Sequence, residues 1–188
     1  MIQQPTRGPP HLPAPESALE MLVAKGRADP FATRTMRCRT VAQGRFRHVN
    51  HIRNLPPQPV VENESGDLSG EDNAPNACEM LLAALGSCLA MGIHANAVAR
   101  HILVRSLELV LEADVNNAAV WGAGSIEPKP LGFEAVRVSA RMQADAPHEV
   151  LQALVNHTTL WSPVANTFHN PVHLDVTVDR PKPDGATA

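Results

Sequence analysis

The segment from Glu79 to Arg100, EMLLAALGSCLAMGIHANAVAR, is apolar around almost its whole helical circumference. A helix of this kind has to be covered on most sides, whereas an amphipathic helix covers only one stripe. Ser87, His94 and Asn96, together with many Ala and Gly residues, argue against a membrane span. We therefore predict a buried central helix, and the rest of the chain must be arranged to cover it.

The sequence after this helix predicts two strands, a second helix and a final strand. SLELVLEAD and FEAVRVSARMQA alternate apolar and polar residues, which is typical of half-buried strands. HEVLQALVNHTTL has a helical apolar stripe, and Pro147 precedes it at a position that helices tolerate well. In HLDVTV, the alternation of Leu174, Val176 and Val178 predicts a strand that closes the sheet.

The sequence before the central helix predicts a short surface helix over Glu16 to Lys25 and a basic β-hairpin over residues 33–52, with its turn at Gly44. Pro59 to Glu62 predicts a further strand. Neighbouring strands with helices on one side indicate an α+β fold with an antiparallel sheet.

We expect a single domain over residues 16–180, because a chain of 188 residues can bury its own core. It comprises the N-terminal helix and hairpin (16–62), the central helix (79–100) and a strand-strand-helix-strand unit (103–179). The Pro-rich residues 1–15 and residues 181–188 are expected to be flexible tails.

Charge and cysteine content limit the classes of function. A net charge of -3 and a pI near 6.3 disfavour nucleic acid and membrane surfaces as partners, although seven of the 16 basic residues lie between residues 27 and 53. Three irregularly spaced cysteines form neither a disulfide framework nor a zinc motif. The start of the chain lacks the apolar region of a secretory signal, so we expect a cytoplasmic protein without a metal or other cofactor.

Cys88, in the central helix, is the candidate reactive residue. A cysteine in an apolar helix is usually a small hydrophobic residue, and burial without a cation leaves it inert. Here Ala84, Gly86 and Ser87 would let another backbone approach the thiol closely. The arginines of the hairpin could stabilise the thiolate, which is the nucleophilic form.

Four segments of the chain, taken in order, resemble the osmotically inducible protein C and organic hydroperoxide resistance superfamily. The segments are ACEMLLAALGSCLAMG, SLELVLEAD, GFEAVRVSARMQAD and LWSPVANTFHNPVHLDVTV, and the resemblance covers about residues 33–180. The resemblance implies an intertwined homodimer, with two central helices packed between sheets and active sites at the subunit interface. It also implies a peroxidatic cysteine that attacks an organic hydroperoxide, a resolving cysteine, and an activating Arg with a Glu.

Cys88 matches the peroxidatic position, and Ser162, in Trp161-Ser162-Pro163-Val164, matches the resolving position. A hydroxyl cannot close a disulfide, so either an external thiol resolves a one-cysteine cycle or no peroxidase turnover occurs. Cys78 lies ten residues from Cys88, about 15 Å along a continuous helix, and could help only if the helix starts later or the partner chain supplies it. Cys38, in the hairpin, is another possible disulfide partner of Cys88.

Arg45 is our first candidate for activating the thiolate, and Arg47 is the second. Glu79 lies nine residues before Cys88, roughly 13 Å away on a continuous helix, so it would hold an arginine rather than touch the thiol. A role as a first-turn acid favoured by the helix dipole is equally compatible with its position.

The remaining candidates are read as structural residues. His94 lies about 240° around the helix from Cys88, which favours a core or interface histidine. His169 and His173 have a spacing that could suggest a metal pair, but Pro171 breaks the helix and no third ligand is evident, so we reject a metal site. Ser162 lacks a GxSxG elbow and precedes proline, which favours a helix cap.

Two functions follow. The first is a one-cysteine organic hydroperoxide reductase of oxidative-stress defence, in which Cys88 reacts and Arg45 and Glu79 support it. The alternative is a non-catalytic dimeric binding protein that holds a small hydrophobic ligand in an apolar interface pocket. Nucleic-acid binding by the basic hairpin is disfavoured by the overall acidity and the scarcity of stacking aromatics.

Overall fold

The structure is a computed structural model that describes residues 12, 16–44, 47–61, 74–115 and 132–178. Its elements are α1 (Glu16–Ala28), β1 (Cys38–Gly44), β2 (Arg47–Ile52), β3 (Gln58–Val61), α2 (Ala77–Val98), β4 (Val104–Val115), β5 (Phe133–Ala144), α3 (His148–Trp161) and α4 (Pro163–His169). Strands β1, β2 and β3 form one antiparallel sheet, and β4 and β5 form a second. The predicted α+β class is confirmed.

Helix α2 starts at a capping box and is buried along one stripe. Asn76 Oδ1 accepts the Glu79 N–H, and Glu79 Oε2 accepts the Asn76 N–H, both at 2.8 Å. Such reciprocal bonds satisfy two of the amides that a helix start leaves unpaired. The buried residues recur every fourth position and pack on β4, α3 and α4: Leu85, Leu89, Ile93 and Ala97.

The prediction that α2 is covered on most sides is wrong for the single chain. Met91, which is 68% exposed, lies with the exposed Ala83 and Ala84 on the side of α2 that points away from the buried stripe, and Leu81, which continues the stripe by one turn toward the helix start, is 43% exposed. Nothing in the described part of this chain covers that second apolar face. By length and composition α2 could also cross a membrane, a property that it shares with the core helices of soluble proteins.

Two close approaches fix how α2 packs. A Cβ added at Gly92 would lie 2.6 Å from Thr158 Cγ2 on α3, and one at Gly86 would lie 2.9 Å from Leu111 Cδ1 on β4. Real Cβ atoms do not come this close to other atoms, so α3 can approach α2 to this depth only because residue 92 is glycine.

The predicted final strand is absent from the described structure. Residues 171–178 adopt neither helix nor strand, and Leu174, Val176 and Val178 are at least 80% exposed. An alternating sequence becomes a strand only when its backbone finds a hydrogen-bonding neighbour, and no described strand of this chain pairs with it. Helix α4, directly before this segment, was not predicted.

Leu12 is held in place by the domain. The other residues of the expected tails, 1–11, 13–15 and 181–188, lie outside the described residues. The Leu12 N–H donates to the Val104 carbonyl at 2.8 Å, and the Leu12 carbonyl lies 3.1 Å from His94 Nε2. The Leu12 side chain packs on the cluster that contains Ile93 and Leu154. His94 is therefore a structural histidine, as predicted, and its position anchors the tail.

Candidate thiol site

The structure brings the two predicted key residues, Cys88 and Ser162, into direct contact. Cys88 is half-buried in the middle of α2, and its Sγ lies 3.2 Å from Ser162 Oγ. Ser162 is 4% exposed. Their separation of 74 positions in sequence makes this a purely tertiary contact, which the packing of α2 against the α3–α4 junction creates.

Ser162 occupies the single residue between α3 and α4. It ends α3 and begins α4, where its Oγ accepts the Ala165 N–H at 3.1 Å. Pro163 takes the first helical position, which needs no N–H donor. The prediction that Ser162 caps a helix is confirmed, and the cap fixes the hydroxyl oxygen beside the thiol.

The backbone around Ser162 is held by a second side chain. Asn166 Nδ2 donates to the Leu160 carbonyl at 2.9 Å and to the Ser162 carbonyl at 2.8 Å. Gly92 lies one helical turn after Cys88 in α2, Thr158 lies one turn before Ser162 in α3, and the two residues are in close contact. This contact and the hydrogen bonds of Asn166 together set the distance between α2 and α3 at the thiol.

Thr158 was missed by the sequence analysis. It is 3% exposed, and its Oγ1 is buried without a hydrogen-bond partner in the described structure. A threonine on the inner stripe of an apolar helix looks like any other small core residue, so no sequence signal distinguishes it. Its methyl group meets Gly92, and its hydroxyl is left unsatisfied.

The other two cysteines are separate from this site. Cys38 and Cys78 are both exposed. Helix α2 begins at Ala77, so Cys78 belongs to the same continuous helix as Cys88, about 15 Å away along the axis. The late helix start that would have let Cys78 resolve Cys88 within one chain is therefore excluded.

Of the predicted supporting residues, the structure describes Arg47 and Glu79, and neither hydrogen-bonds to Cys88. Arg45 lies outside the described residues. Arg47 is half-buried at the start of β2, where its Nε donates to Gln43 Oε1 at 3.3 Å. Glu79 belongs to the capping box, and no ion pair joins it to an arginine within the described ranges. The helix-start role of Glu79 is thus observed, and its role toward an arginine stays a prediction.

Charged pairs lie instead on the exposed face of the β4–β5 sheet. Arg137 donates to both carboxylate oxygens of Asp114, at 2.6 and 2.9 Å, and approaches Glu112 at 3.7 Å. These hydrogen bonds and the adjacent charge lower the pKa of Asp114 and raise the pKa of Arg137. In the parts of the chain that the structure describes, no three His, Cys, Asp or Glu side chains converge to hold a metal ion.

An open cavity lined by both apolar and polar side chains, the latter including Glu134, His148 and Gln152, lies between the β4–β5 sheet and the helices α2, α3 and α4. Its volume is about 780 Å³. Leu85 and Leu89, which flank Cys88 in sequence, are among its lining residues, but Cys88 itself is not. Other lining residues are Ile93, Val136, Met142, Val155 and Phe168. The cavity thus adjoins the thiol-bearing stretch of α2 without including the sulfur atom.

These features define a class of α+β proteins in which a long helix presents a cysteine toward the start of a short C-terminal helix. The family model for OsmC-like proteins matches residues 70–177, which contain both Cys88 and Ser162. The chain belongs to the OsmC-like protein family. The predicted family resemblance is confirmed. No functionally curated protein matches the sequence significantly.

Solved structures support the fold. An OsmC-like protein from Mycoplasma pneumoniae superposes with a TM-score of 0.61 at 9% identity, over 73% of this chain and 89% of the other. An organic hydroperoxide resistance protein OsmC from Legionella pneumophila gives 0.53 at 18% identity, over 73% and 90%. The organic hydroperoxide resistance protein OhrB of Bacillus subtilis gives 0.50 at 17% identity, over 72% and 90%. At such identities the likeness concerns the fold alone.

Proposed function

We propose that this protein is a one-cysteine organic hydroperoxide reductase that acts in oxidative-stress defence, with Cys88 as its nucleophile. The observation that carries the proposal is the position of the Cys88 sulfur, 3.2 Å from the buried Ser162 hydroxyl that caps α4. Membership of a family in which two structural neighbours are named organic hydroperoxide resistance proteins supports it.

The proposed reaction uses one cysteine and two external thiols. The Cys88 thiolate attacks the terminal peroxide oxygen, the O–O bond breaks, and the alcohol leaves with a proton while the sulfur becomes a sulfenic acid. A first external thiol then displaces water to form a mixed disulfide. A second external thiol releases Cys88 and leaves as a disulfide with the first. Ser162 cannot take the place of either thiol, because a hydroxyl forms no disulfide.

The proposal includes a homodimer. Two apolar surfaces of the single chain lack a cover among the described residues: the second face of α2 and the alternating residues 172–178. An obligate dimer interface resembles a domain core that has been cut in half. The partner's basic hairpin would then bring Arg45, with Arg47 as the second candidate, toward Cys88. Glu79 is proposed to hold that arginine at the start of α2.

The proposed setting is the cytoplasm, and the proposed partners are a second copy, an organic hydroperoxide and an external thiol. Neither a cofactor, nor nucleic acid, nor a membrane takes part.

Sedimentation analysis tests the dimer directly, and hydrogen exchange of residues 38–61 should slow as the protein concentration rises through dimerisation. A monomer at all concentrations would contradict this part of the proposal.

Oxidation of Cys88 by an organic hydroperoxide tests the main proposal. A Cys38→Ser/Cys78→Ser variant is mixed with cumene hydroperoxide, and the sulfenic acid is trapped with a dimedone probe and located by mass spectrometry. We expect rapid trapping at Cys88 and turnover with an added small thiol. Adding Cys88→Ser should abolish both signals. A thiol that stays unoxidised over the same time would overturn the reductase.

The arginine assignment is tested within the same assay. Arg45→Ala should slow oxidation of Cys88 at least tenfold, because the thiolate loses its cation. Arg39→Ala is the matched control, since it removes an arginine from the same hairpin and should leave the rate unchanged. Equal effects of the two substitutions would show that only the general positive field of the hairpin matters.

A second candidate function is binding of a small hydrophobic ligand, which the cavity of about 780 Å³ favours. Its volume lies within the range of small-molecule sites, and aliphatic side chains line it together with polar ones such as Gln152 and His169. Val136→Trp on β5 would occupy part of the cavity. A medium-chain fatty alcohol that stabilises the native protein but not this variant against heat would support a binding protein.

A further inference from the structure

We propose that Ser162 is a positioning residue for Cys88, whose hydroxyl donates a hydrogen bond to the sulfur and thereby favours the thiolate. The inference rests on the proposed function for its purpose, since a thiolate is what attacks a hydroperoxide. It assigns to Ser162 an electrostatic role, in addition to its observed role as a helix cap.

The donor direction follows from what the hydroxyl already does. Ser162 Oγ accepts the Ala165 N–H at 3.1 Å, which uses one of its lone pairs. Its single hydrogen is then available for donation to another acceptor. A buried hydroxyl that donates to nothing loses the hydrogen bonds that it made in water. The Cys88 sulfur, 3.2 Å away, is an acceptor within reach of that hydrogen.

The bond is stronger in the charged state of the thiol. A neutral S–H is a weak donor and its sulfur a weak acceptor, so the contact contributes little while the proton is present. A thiolate has no hydrogen to give, so only the Ser162 O–H can then act as donor, and bonds to ionised acceptors are roughly twice as strong as neutral ones. A hydrogen bond to the charged form favours that form.

The surrounding packing keeps this donor in place. Asn166 holds the Ser162 carbonyl, and the α4 cap holds its hydroxyl oxygen. One turn along each helix, Gly92 lets Thr158 approach within a distance that any Cβ would prevent. The donor therefore needs little reorganisation when the proton leaves Cys88, which is the property that makes preorganised dipoles effective.

The test follows alkylation of Cys88 by iodoacetamide as a function of pH, in the full chain carrying Cys38→Ser and Cys78→Ser. With Ser162→Ala, we expect the midpoint of the pH profile to move upward and the rate at neutral pH to fall by about threefold to tenfold, the equivalent of one modest hydrogen bond. Ser162→Thr, which retains a hydroxyl, should restore the profile.

Thr167→Ala is the matched control. It removes a side-chain hydrogen bond to the Pro163 carbonyl, 2.9 Å long, in the same short helix α4, and it leaves the Ser162 hydroxyl and its cap intact. It should lower the melting temperature slightly without moving the alkylation profile. A folded Ser162→Ala protein with an unchanged profile would overturn the inference, and so would a Thr167→Ala protein whose profile moves as far.

A second variant keeps the inference testable if Ser162→Ala does not fold. Ser162→Cys places a thiol where the hydroxyl stands, and diamide, which takes up two electrons and two protons from a pair of thiols, should join residues 88 and 162 by a disulfide. Failure to form this crosslink would show that the two side chains are not in contact in solution.

Both readouts are independent of hydroperoxide chemistry. A shifted alkylation profile with no oxidation by cumene hydroperoxide would retain the role of Ser162 and remove the reductase. Rapid oxidation with an unshifted alkylation profile would retain the reductase and remove the proposed role of Ser162.

Discussion

The N-terminal and C-terminal regions of the described chain differ in how much of their apolar surface they bury. Residues 16–61 contain α1, which buries no side chain, and a three-stranded sheet in which only Val49 and Val60 are buried among the side chains described. Residues 74–178 contain two connected clusters that include Leu89, Ile93 and Leu154. Neither α1 nor the N-terminal sheet packs extensively on these clusters in the described structure.

Among the described residues, only the C-terminal region carries a core of its own. Hydrophobic burial is the main favourable contribution to folding, so a region that buries two valines gains little from folding alone. In the C-terminal region the same helix that supplies the core also carries Cys88. The thiol site therefore depends on that core, whereas the N-terminal region needs contacts from outside these residues.

The largest expected difference in stability between the two regions comes from replacing a leucine by alanine in each of them. Leu154→Ala removes a side chain that is 0% exposed, and we expect it to cost about 2–5 kcal/mol of unfolding free energy because a cavity remains. Leu22→Ala in α1, where the side chain is 67% exposed, should change stability by less than about 0.5 kcal/mol. Urea unfolding of both variants measures the difference, and equal losses would break the comparison.

A smaller effect is expected from alanine at two helical glycines. Gly92→Ala forces its Cβ against Thr158 and should cost about 1–3 kcal/mol, more than the gain in helix propensity returns. Gly26→Ala in α1 meets nothing within 4 Å and should stabilise the helix by up to about 1 kcal/mol.

Calorimetry distinguishes the two glycines by the sign of the change. Thr158→Ser, which deletes the opposing methyl group, should recover much of the loss caused by Gly92→Ala. Without that recovery, the Gly92 contact would not be what limits the spacing of α2 and α3.

A gain in stability is expected at the unsatisfied hydroxyl in the core. Thr158→Val replaces the buried Oγ1 by a methyl group of similar shape and should raise the unfolding free energy by about 1 kcal/mol, because no hydrogen bond is lost. The measurement is the urea midpoint at constant m-value. A loss of stability instead would indicate that a water or another donor satisfies Thr158 in solution.

The smallest effect concerns the ion pair between Asp114 and Arg137. Arg137 lowers the pKa of Asp114, so the pair stabilises the folded state above the unfolded pKa of about 3.9, and this contribution is lost as the pH falls through the lower folded value. Asp114→Asn should lower the melting temperature slightly at pH 7 and not at about pH 2. Both side chains are exposed, so high salt should also remove the difference.

Elements with a strong local pattern were predictable from sequence. The alternation in β4 and β5 and the stripe in α3 arise from neighbouring residues, and the structure confirms these elements. The final strand at residues 174–178 was predicted with an equally clear alternation, but it has no partner strand among the described residues. Alternation specifies a surface for pairing, and the partner has to come from elsewhere.

The sequence alone determined the central apolar helix, the order of the elements up to α3 and the chemistry available at positions 88 and 162, since these depend on residue type and short-range periodicity. Only the tertiary structure decided which face of α2 is covered and that Cys88 touches a hydroxyl 74 residues away. The physical reason is that helix spacing follows from close packing between elements, and a single contact such as that of Gly92 with Thr158 leaves no periodic signal in either segment.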